Sequence, residues 1–383
     1  MARIRDSETL LPTKIREQEG DEGLLVLIVY FFYICKKIEM NTKKCAICRT
    51  NSPTKKNSHI IPSFLVLEFA SSDGSLERDK EILYTIKSSN TTIHIGRNVN
   101  EAAIERNFDR LSEEQIEEYK GNNVTEDFVF CNECEKKLGE YLESPYSNLI
   151  KNGTEVPGIV PYMFWLSVLW RVDNFNYTNI KLTSHIRASL RNRLKNYFYL
   201  RDDNKPTNSV LNQAPFSYKI LHYEQSKAGE GCFYGEYDKK SKIASLIVGS
   251  FAICFNFSNK QIPSKYSFYN LENDFIQAPN NDGQHTEQIF IIKKGQFNKY
   301  KDGLISKIKE LKIKKDVELI NKMWLRIKGK GIQLPNTPSD VFINVVLREK
   351  YSNKVKLGEK ETIEHFAKSF VKGLECVYNI KIK

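Results

Sequence analysis

The chain lacks a hydrophobic run long enough to cross a bilayer. Its continuous apolar stretch, Leu24–Cys35 (LLVLIVYFFYIC), has 12 residues, short of the roughly 20 that a spanning helix needs. A secretory signal is missing as well. Glu19, Asp21 and Glu22 stand ahead of the apolar stretch, and Lys36-Lys37 follow where a small-residue cleavage site belongs. No internal repeat is visible. Cysteine is sparse: of eight in 383 residues, four fall into two Cys-x-x-Cys pairs, Cys45/Cys48 and Cys131/Cys134. In a long chain without a secretory signal, that usage argues against a disulfide framework and for metal-binding thiols in a reducing, cytoplasmic setting. Cys232, Cys254 and Cys376 stand alone in apolar surroundings and read as small buried hydrophobes. Met40 is the expected native start, with residues 1–39 an upstream extension or a weakly attached arm.

What is present suffices for more than one core. Hydrophobic residues make up 40% of the chain, and 22 Phe and 19 Tyr argue against disorder over most of its length. The formal net charge of +11 suits a polyanionic partner, and its distribution is uneven. Lys293–Lys330 holds 13 Lys/Arg against 4 Asp/Glu, whereas Glu101–Glu143 is acidic. Lys307, Lys309, Lys312, Lys314 and Lys315 are the candidate phosphate contacts of that basic run. They alternate with Leu304, Ile305, Ile308, Leu311 and Ile313, which equally describes packed helices with a solvated face.

Periodicity places a helix-like pattern at Asn100–Tyr119, with Ser112 and Gln115 spaced as a capping box, and a short strand at Phe128–Phe130. Buried helix is expected from Pro161 through Trp170, with Trp165 and Trp170 in the core, and a second helix from Thr183 to Leu200. From Phe216 the pattern turns to β-like runs at Tyr218–Tyr223, Gly231–Tyr237, Ile243–Phe257 and Gln288–Ile292. Helices return at Leu304–Ile313, Val317–Ile327 and Glu361–Val377. The fold class is α+β.

Two Cys-x-x-Cys turns each present a pair of soft thiolates, and together they make a tetrahedral structural zinc site. With 82 residues between Cys48 and Cys131, the site staples two ends of a larger module. The run Cys45-Ala-Ile-Cys48, then Ser58-His59-Ile60-Ile61-Pro62, then Cys131-Asn132-Glu133-Cys134-Glu135 resembles the HNH endonuclease superfamily in its zinc-containing form. More narrowly, with Leu166-Ser-Val-Leu-Trp-Arg171 downstream, it looks like a poorly characterised bacterial group within it. The resemblance implies a zinc-stapled ββα-metal module at 40–150 carrying an inserted segment 63–127. A helical region (151–201) and a mixed strand and helix region (216–383) would follow. It also implies metal-dependent phosphodiester hydrolysis in nucleic acid, chiefly DNA, with Mg²⁺ or Mn²⁺ at the phosphate and His59 as general base.

The chain departs from that pattern where the family commonly has an Asp, because Ser58 precedes the histidine. Glu135 is the first candidate for the remaining metal ligand and Glu140 a poorer one. Asn98, Asn100 and Asn132 are candidates for the family's middle Asn. Plainer readings stand beside these: His59 as a group that bonds a thiolate or carbonyl, and Glu135 as a helix N-terminal carboxylate. The runner-up function is therefore a catalytically degenerate HNH-like zinc module that binds nucleic acid or a protein partner.

Overall fold

The computed structural model describes residues 44–70, 82–87, 90–95, 99, 102, 104, 112–121, 125–212, 216–223, 233–258, 268–328, 334–352 and 363–380. The expectations for residues 1–43, Asn98, Asn100 and Cys232 lie outside them. Among the described residues, helices outweigh a mixed sheet, and no helix is long and apolar enough to cross a membrane.

Along the chain come β1 (Ser58–His59), α1 (Ser63–Ala70), the hairpin β2 (Ile82–Lys87) and β3 (Asn90–Ile95), α2 (Glu113–Gly121) and β4 (Thr125–Glu126). Pro62 sets the start of α1, since its carbonyl accepts from the amides of Leu65 and Val66. Ser112 stands immediately before α2, and its carbonyl accepts from Ile116 N at 3.0 Å. Next are α3 (Asn132–Leu138), a π turn (Gly139–Glu143) and α4 (Ser144–Asn152). The π turn has a local cause. Pro145 has no N–H to give to the carbonyl four residues back and its ring crowds that carbonyl. The wider turn just before it, with Ser144 N bonded to Gly139 O, takes up the mismatch.

In α5 (Ile159–Asn174) every residue from Ile159 to Asp173 is buried, as befits a helix apolar nearly all round. Gly158 opens it because nothing larger fits: a Cβ there would meet the His285 carbonyl oxygen at 1.8 Å. In α6 (Ser184–Asp202), the Thr183 hydroxyl caps the first turn by accepting from Ile186 N at 3.3 Å, and Leu190, Leu194, Tyr197 and Phe198 face inward.

The β-rich part supplies β5 (Ser217–His222), β6 (Phe233–Asp238), β7 (Ile243–Val248) and β8 (Phe251–Asn256). The single run expected over Ile243–Phe257 is two strands. Val248 pairs with Phe251 across a two-residue turn whose first residue, Gly249, takes φ +60°, the backbone that glycine admits without steric cost. Then come α7 (Glu272–Gln277), β9 (Phe290–Ile291), α8 (Lys294–Lys328), α9 (Asp340–Ser352) and α10 (Ile363–Tyr378). The sheet order is β3-β2-β6-β7-β8-β5-β9, so the hairpin of the inserted segment extends the sheet of the C-terminal region. Helices expected at 304–313 and 317–327 are one 35-residue helix, because no Gly or Pro interrupts 304–328.

Both faces of the sheet are covered, and its pleat divides the side chains cleanly. Ala244, Leu246, Val248, Phe251, Ile253 and Phe255 join the core that holds α5, α6 and the cysteine pairs. Ile243, Ile247, Ala252 and Cys254 join a second core with Phe275 of α7 and Phe297, Tyr300 and Leu304 of α8. The first core runs from Cys45 to Phe255 without a break, so it crosses the boundaries expected near 150 and 216. A third core gathers Ile320 and Trp324 of α8 with Phe342 and Val346 of α9 and Phe370 and Leu374 of α10. Cys254 is buried as expected, whereas Cys376 is exposed, on the outer side of α10.

A half-buried carboxyl borders the first core. Glu287 accepts from Tyr218 Oη at 2.5 Å and Tyr146 Oη at 3.0 Å, and Trp165 Nε1 donates to that same Tyr146 oxygen at 2.9 Å. Burial pushes its pKa up to about 7, against the pull of the phenol donors.

Candidate metal centre and its neighbours

The two cysteine pairs meet although 82 residues separate them. Cys45–Cys48 form a tight knuckle closed by Arg49 N to Cys45 O at 2.9 Å and Cys45 N to Asn51 O at 2.8 Å, with Arg49 at φ +57°. Cys131 precedes α3 and Cys134 lies in its first turn. The segments between are laced together. Ala46 N donates to Val129 O at 2.9 Å, and Thr54 N and Lys55 N both donate to Phe130 O at 3.1 Å. The strand expected at Phe128–Phe130 is an irregular segment instead, since Phe128 sits at φ +55°.

All four sulfurs lie within 4.8 Å of one another. A tetrahedral zinc with Zn–S near 2.3 Å puts its sulfurs about 3.8 Å apart, and Cys48 Sγ and Cys131 Sγ are 4.0 Å apart. The thiol chemistry agrees. A hydrogen bond from the Cys134 thiol pulls Cys45 down to about 4. Cys134 is pushed up by that same shared proton, by burial and by the charge on Cys45. Four thiolates in this volume repel one another, and a divalent cation is what stabilises them together. The donor set fits a metal such as zinc.

Beside this knuckle, β1 and β4 form a two-residue antiparallel ribbon, Ser58 opposite Glu126 and His59 opposite Thr125. Ser58 is buried and His59 half-buried. Glu135, in the first turn of α3, faces Ser58. Burial raises its pKa, opposed first by the Arg171 charge and then by the Ser58 hydroxyl. The hydroxyl is near enough to act on the carboxyl, yet neither Ser58 Oγ nor Glu135 Oε2 completes a hydrogen bond. Asn132 is exposed, and Glu140 is an exposed surface residue 3.7 Å from Lys136 Nζ.

Two residues enter the site that spacing did not single out in this role. Glu143 is eight residues beyond Glu135, a separation that in an α-helix turns it about 80° away. The wider π turn between them reduces that angle, and Glu143 comes into line. The chain just after the turn carries one visible cause, Pro145. Arg171, from the last turn of α5, is 1% exposed. Its Nη1 donates to the main-chain carbonyl of His59 at 2.9 Å and to Glu143 Oε1 at 2.8 Å.

Among the candidate lysines, Lys309, Lys314 and Lys315 are exposed. Lys307 lies 3.8 Å from Glu310, and Lys312 sits over the Tyr351 ring. All five belong to α8, whose Phe297, Tyr300 and Leu304 join the core on the sheet face opposite the one that faces α5 and the cysteine knuckle. Near the site lie Lys55, whose charge acts on Glu135, and Lys56, over the Phe128 ring.

Comparison with known proteins finds no family model, no curated protein and no solved structure that matches the chain.

Proposed function

We propose that this protein is a metal-dependent endonuclease of the HNH type, acting on phosphodiester bonds in DNA, with zinc as a structural staple and His59 as general base. One observation carries the reading. Two buried oxygens have no hydrogen-bond partner, Ser58 Oγ on the residue before His59 and Oε2 of Glu135, a carboxyl on which the Ser58 hydroxyl acts. Buried polar atoms left unsatisfied cost about 1–3 kcal/mol each, and a hard cation between a carboxylate and a hydroxyl satisfies both. Glu135 and Ser58 are thus the residues that would hold a divalent ion such as Mg²⁺ or Mn²⁺. Such an ion, when bound, supplies Lewis-acid stabilisation of charge on the phosphate.

The chain's own groups do the rest. His59 takes a proton from the attacking water, the phosphorus–oxygen bond to the leaving group breaks, and solvent protonates the departing oxygen. Lys55 and Lys56, both exposed, offer positive charge to the flanking phosphates. The order of parts supports the same reading: a cysteine knuckle, an antiparallel ribbon ending in His59, then a helix that opens with the second cysteine pair.

A second reading keeps the zinc and gives up the cleavage, leaving a module that binds nucleic acid. It is favoured by the donor set: Ser58 is a weak neutral ligand, and Glu143, whose charge also acts on Glu135, is paired with Arg171. Plasmid nicking with Mg²⁺ or Mn²⁺ separates the two. The nuclease reading expects His59→Ala and Glu135→Ala to lose nicking while keeping zinc. Wild-type rates in His59→Ala end the assignment of that histidine as base.

A further inference from the structure

We propose that Arg171 is the positioning residue of this site. Its buried guanidinium ties the main chain at His59 to the carboxylate of Glu143 and so fixes where the base stands. The proposal rests on the nuclease reading for its catalytic consequence, and on the geometry alone for the tie itself.

The ribbon that carries His59 is short. β1 and β4 pair at Ser58 with Glu126 and His59 with Thr125, and the flanks are tied by Asn57 N to Asp127 Oδ1 at 2.7 Å and Phe128 N to Lys55 O at 2.8 Å. These ties join the two arms of the ribbon to each other, and Arg171 joins the ribbon to α5 and the π turn. One nitrogen, Nη1, reaches the His59 carbonyl at 2.9 Å and Glu143 Oε1 at 2.8 Å. The rest of the fork is anchored to its own helix, with Nη2 at 3.3 Å from Ser167 Oγ and Nε at 3.4 Å from Ser167 O. Ser167 Oγ in turn donates to Phe164 O at 2.7 Å, so its lone pairs face the guanidinium. The anchor is a helix buried on all sides, which is the kind of rigid element that holds a side chain to a fraction of an ångström.

Stability alone does not explain an arginine here. Buried ion pairs are commonly no better than apolar side chains of the same volume, and the residues beside Arg171 along the helix, Val168, Leu169, Trp170 and Val172, are all buried and apolar. A lysine would not serve either. Its point charge reaches one acceptor well, whereas the guanidinium spans Ser167, His59 and Glu143 with fixed angles. What the arginine uniquely provides is a set distance between three elements: the helix α5, the ribbon at His59 and the π turn at Glu143.

The test compares Arg171→Met, Arg171→Lys and Glu143→Gln with wild type in three measurements: zinc content and melting, hydrogen exchange in the peptide covering 57–61, and kcat and KM for plasmid nicking. The expected result is retained zinc and a retained global fold, faster exchange confined to 57–61, and kcat down by about 10²-fold with KM within threefold. Arg171→Lys should recover part of kcat. Unchanged exchange at 57–61 in Arg171→Met overturns the proposal. So does loss of zinc and fold in both Arg171 variants, which would make Arg171 a member of the core and no more. If wild type itself never nicks DNA, the nuclease reading fails, and the exchange data still decide whether Arg171 holds His59 in place.

Discussion

Replacing Glu287 by Gln should flatten the pH dependence of stability between pH 4.5 and 8. The half-buried carboxyl accepts from Tyr218 and Tyr146, and its pKa rises from 4.5 to about 7, chiefly through burial. The sign follows from linkage. Below about 4.5 the group is neutral in both folded and unfolded chains. Between that pH and about 7 it stays protonated only when folded, so the unfolded chain releases a proton and gains relative stability as pH rises. The loss is complete above the folded value. At about 1.4 kcal/mol per pH unit, the span from 4.5 to about 7 amounts to roughly 3 kcal/mol as an upper value for a half-buried group. Urea unfolding at fixed free zinc, repeated from pH 4.5 to 8, measures it. The wild type minus Glu287→Gln difference isolates this carboxyl from the six histidines that titrate in the same window. Expected is a gap that shifts in favour of the Gln variant by up to about 3 kcal/mol as pH rises. A gap constant with pH refutes the assignment of Glu287 as a carboxyl held neutral by the fold.

Two further outcomes follow from the geometry. Cys131→Ser should lose the bound zinc, measured by elemental analysis, and raise hydrogen exchange at 44–56 and 128–138, since those segments meet at the four sulfurs; zinc retained at the wild-type level would contradict the ligand set. On a duplex of about 10 base pairs, roughly 34 Å long, Lys55→Ala with Lys56→Ala should lower the slope of log affinity against log salt by about 2. Lys309→Ala, Lys314→Ala and Lys315→Ala together should leave it unchanged, because α8 starts in the core on the sheet face opposite the cysteine knuckle. The reverse pattern would return the phosphate grip to α8.

The parts of the fold that were legible in the sequence are those fixed by local chemistry. Pro161 and an unbroken apolar run made α5 readable, and Thr183 made the start of α6 readable, because caps and periodicity act within a few residues. The four cysteines were legible for a different reason. A Cys-x-x-Cys turn declares a ligand pair whatever the distance to the next pair, so the intervening 82 residues did not hide the site. What stayed hidden depended on partners far away in sequence. That the β2–β3 hairpin of the inserted segment would join the C-terminal sheet rests on a strand pairing, Thr85 with Phe233, that no local pattern encodes. The placement of the basic run was hidden for the same reason: charge density can be counted along the chain, but which face of the sheet it covers cannot.

Arg171 and Glu143 mark where spacing stops being informative about a site. Alone, Leu-Trp-Arg reads as the end of an apolar helix, and Glu-Ser-Pro as a helix approaching a proline. The contact between Arg171 and His59 spans 112 positions, and Glu143 reaches it from a wider turn that ends just before Pro145. A proline's local effect on turn width thus bears on which carboxylate enters the site. Substituting Ala at Pro145 should let an ordinary α-turn form, swing Glu143 away by up to about 80° and leave the Arg171 guanidinium short of a partner. The expected reading is faster exchange at 57–61 with zinc intact, as for Glu143→Gln. Exchange identical to wild type would mean that the π turn is held by packing against α5 rather than by the proline.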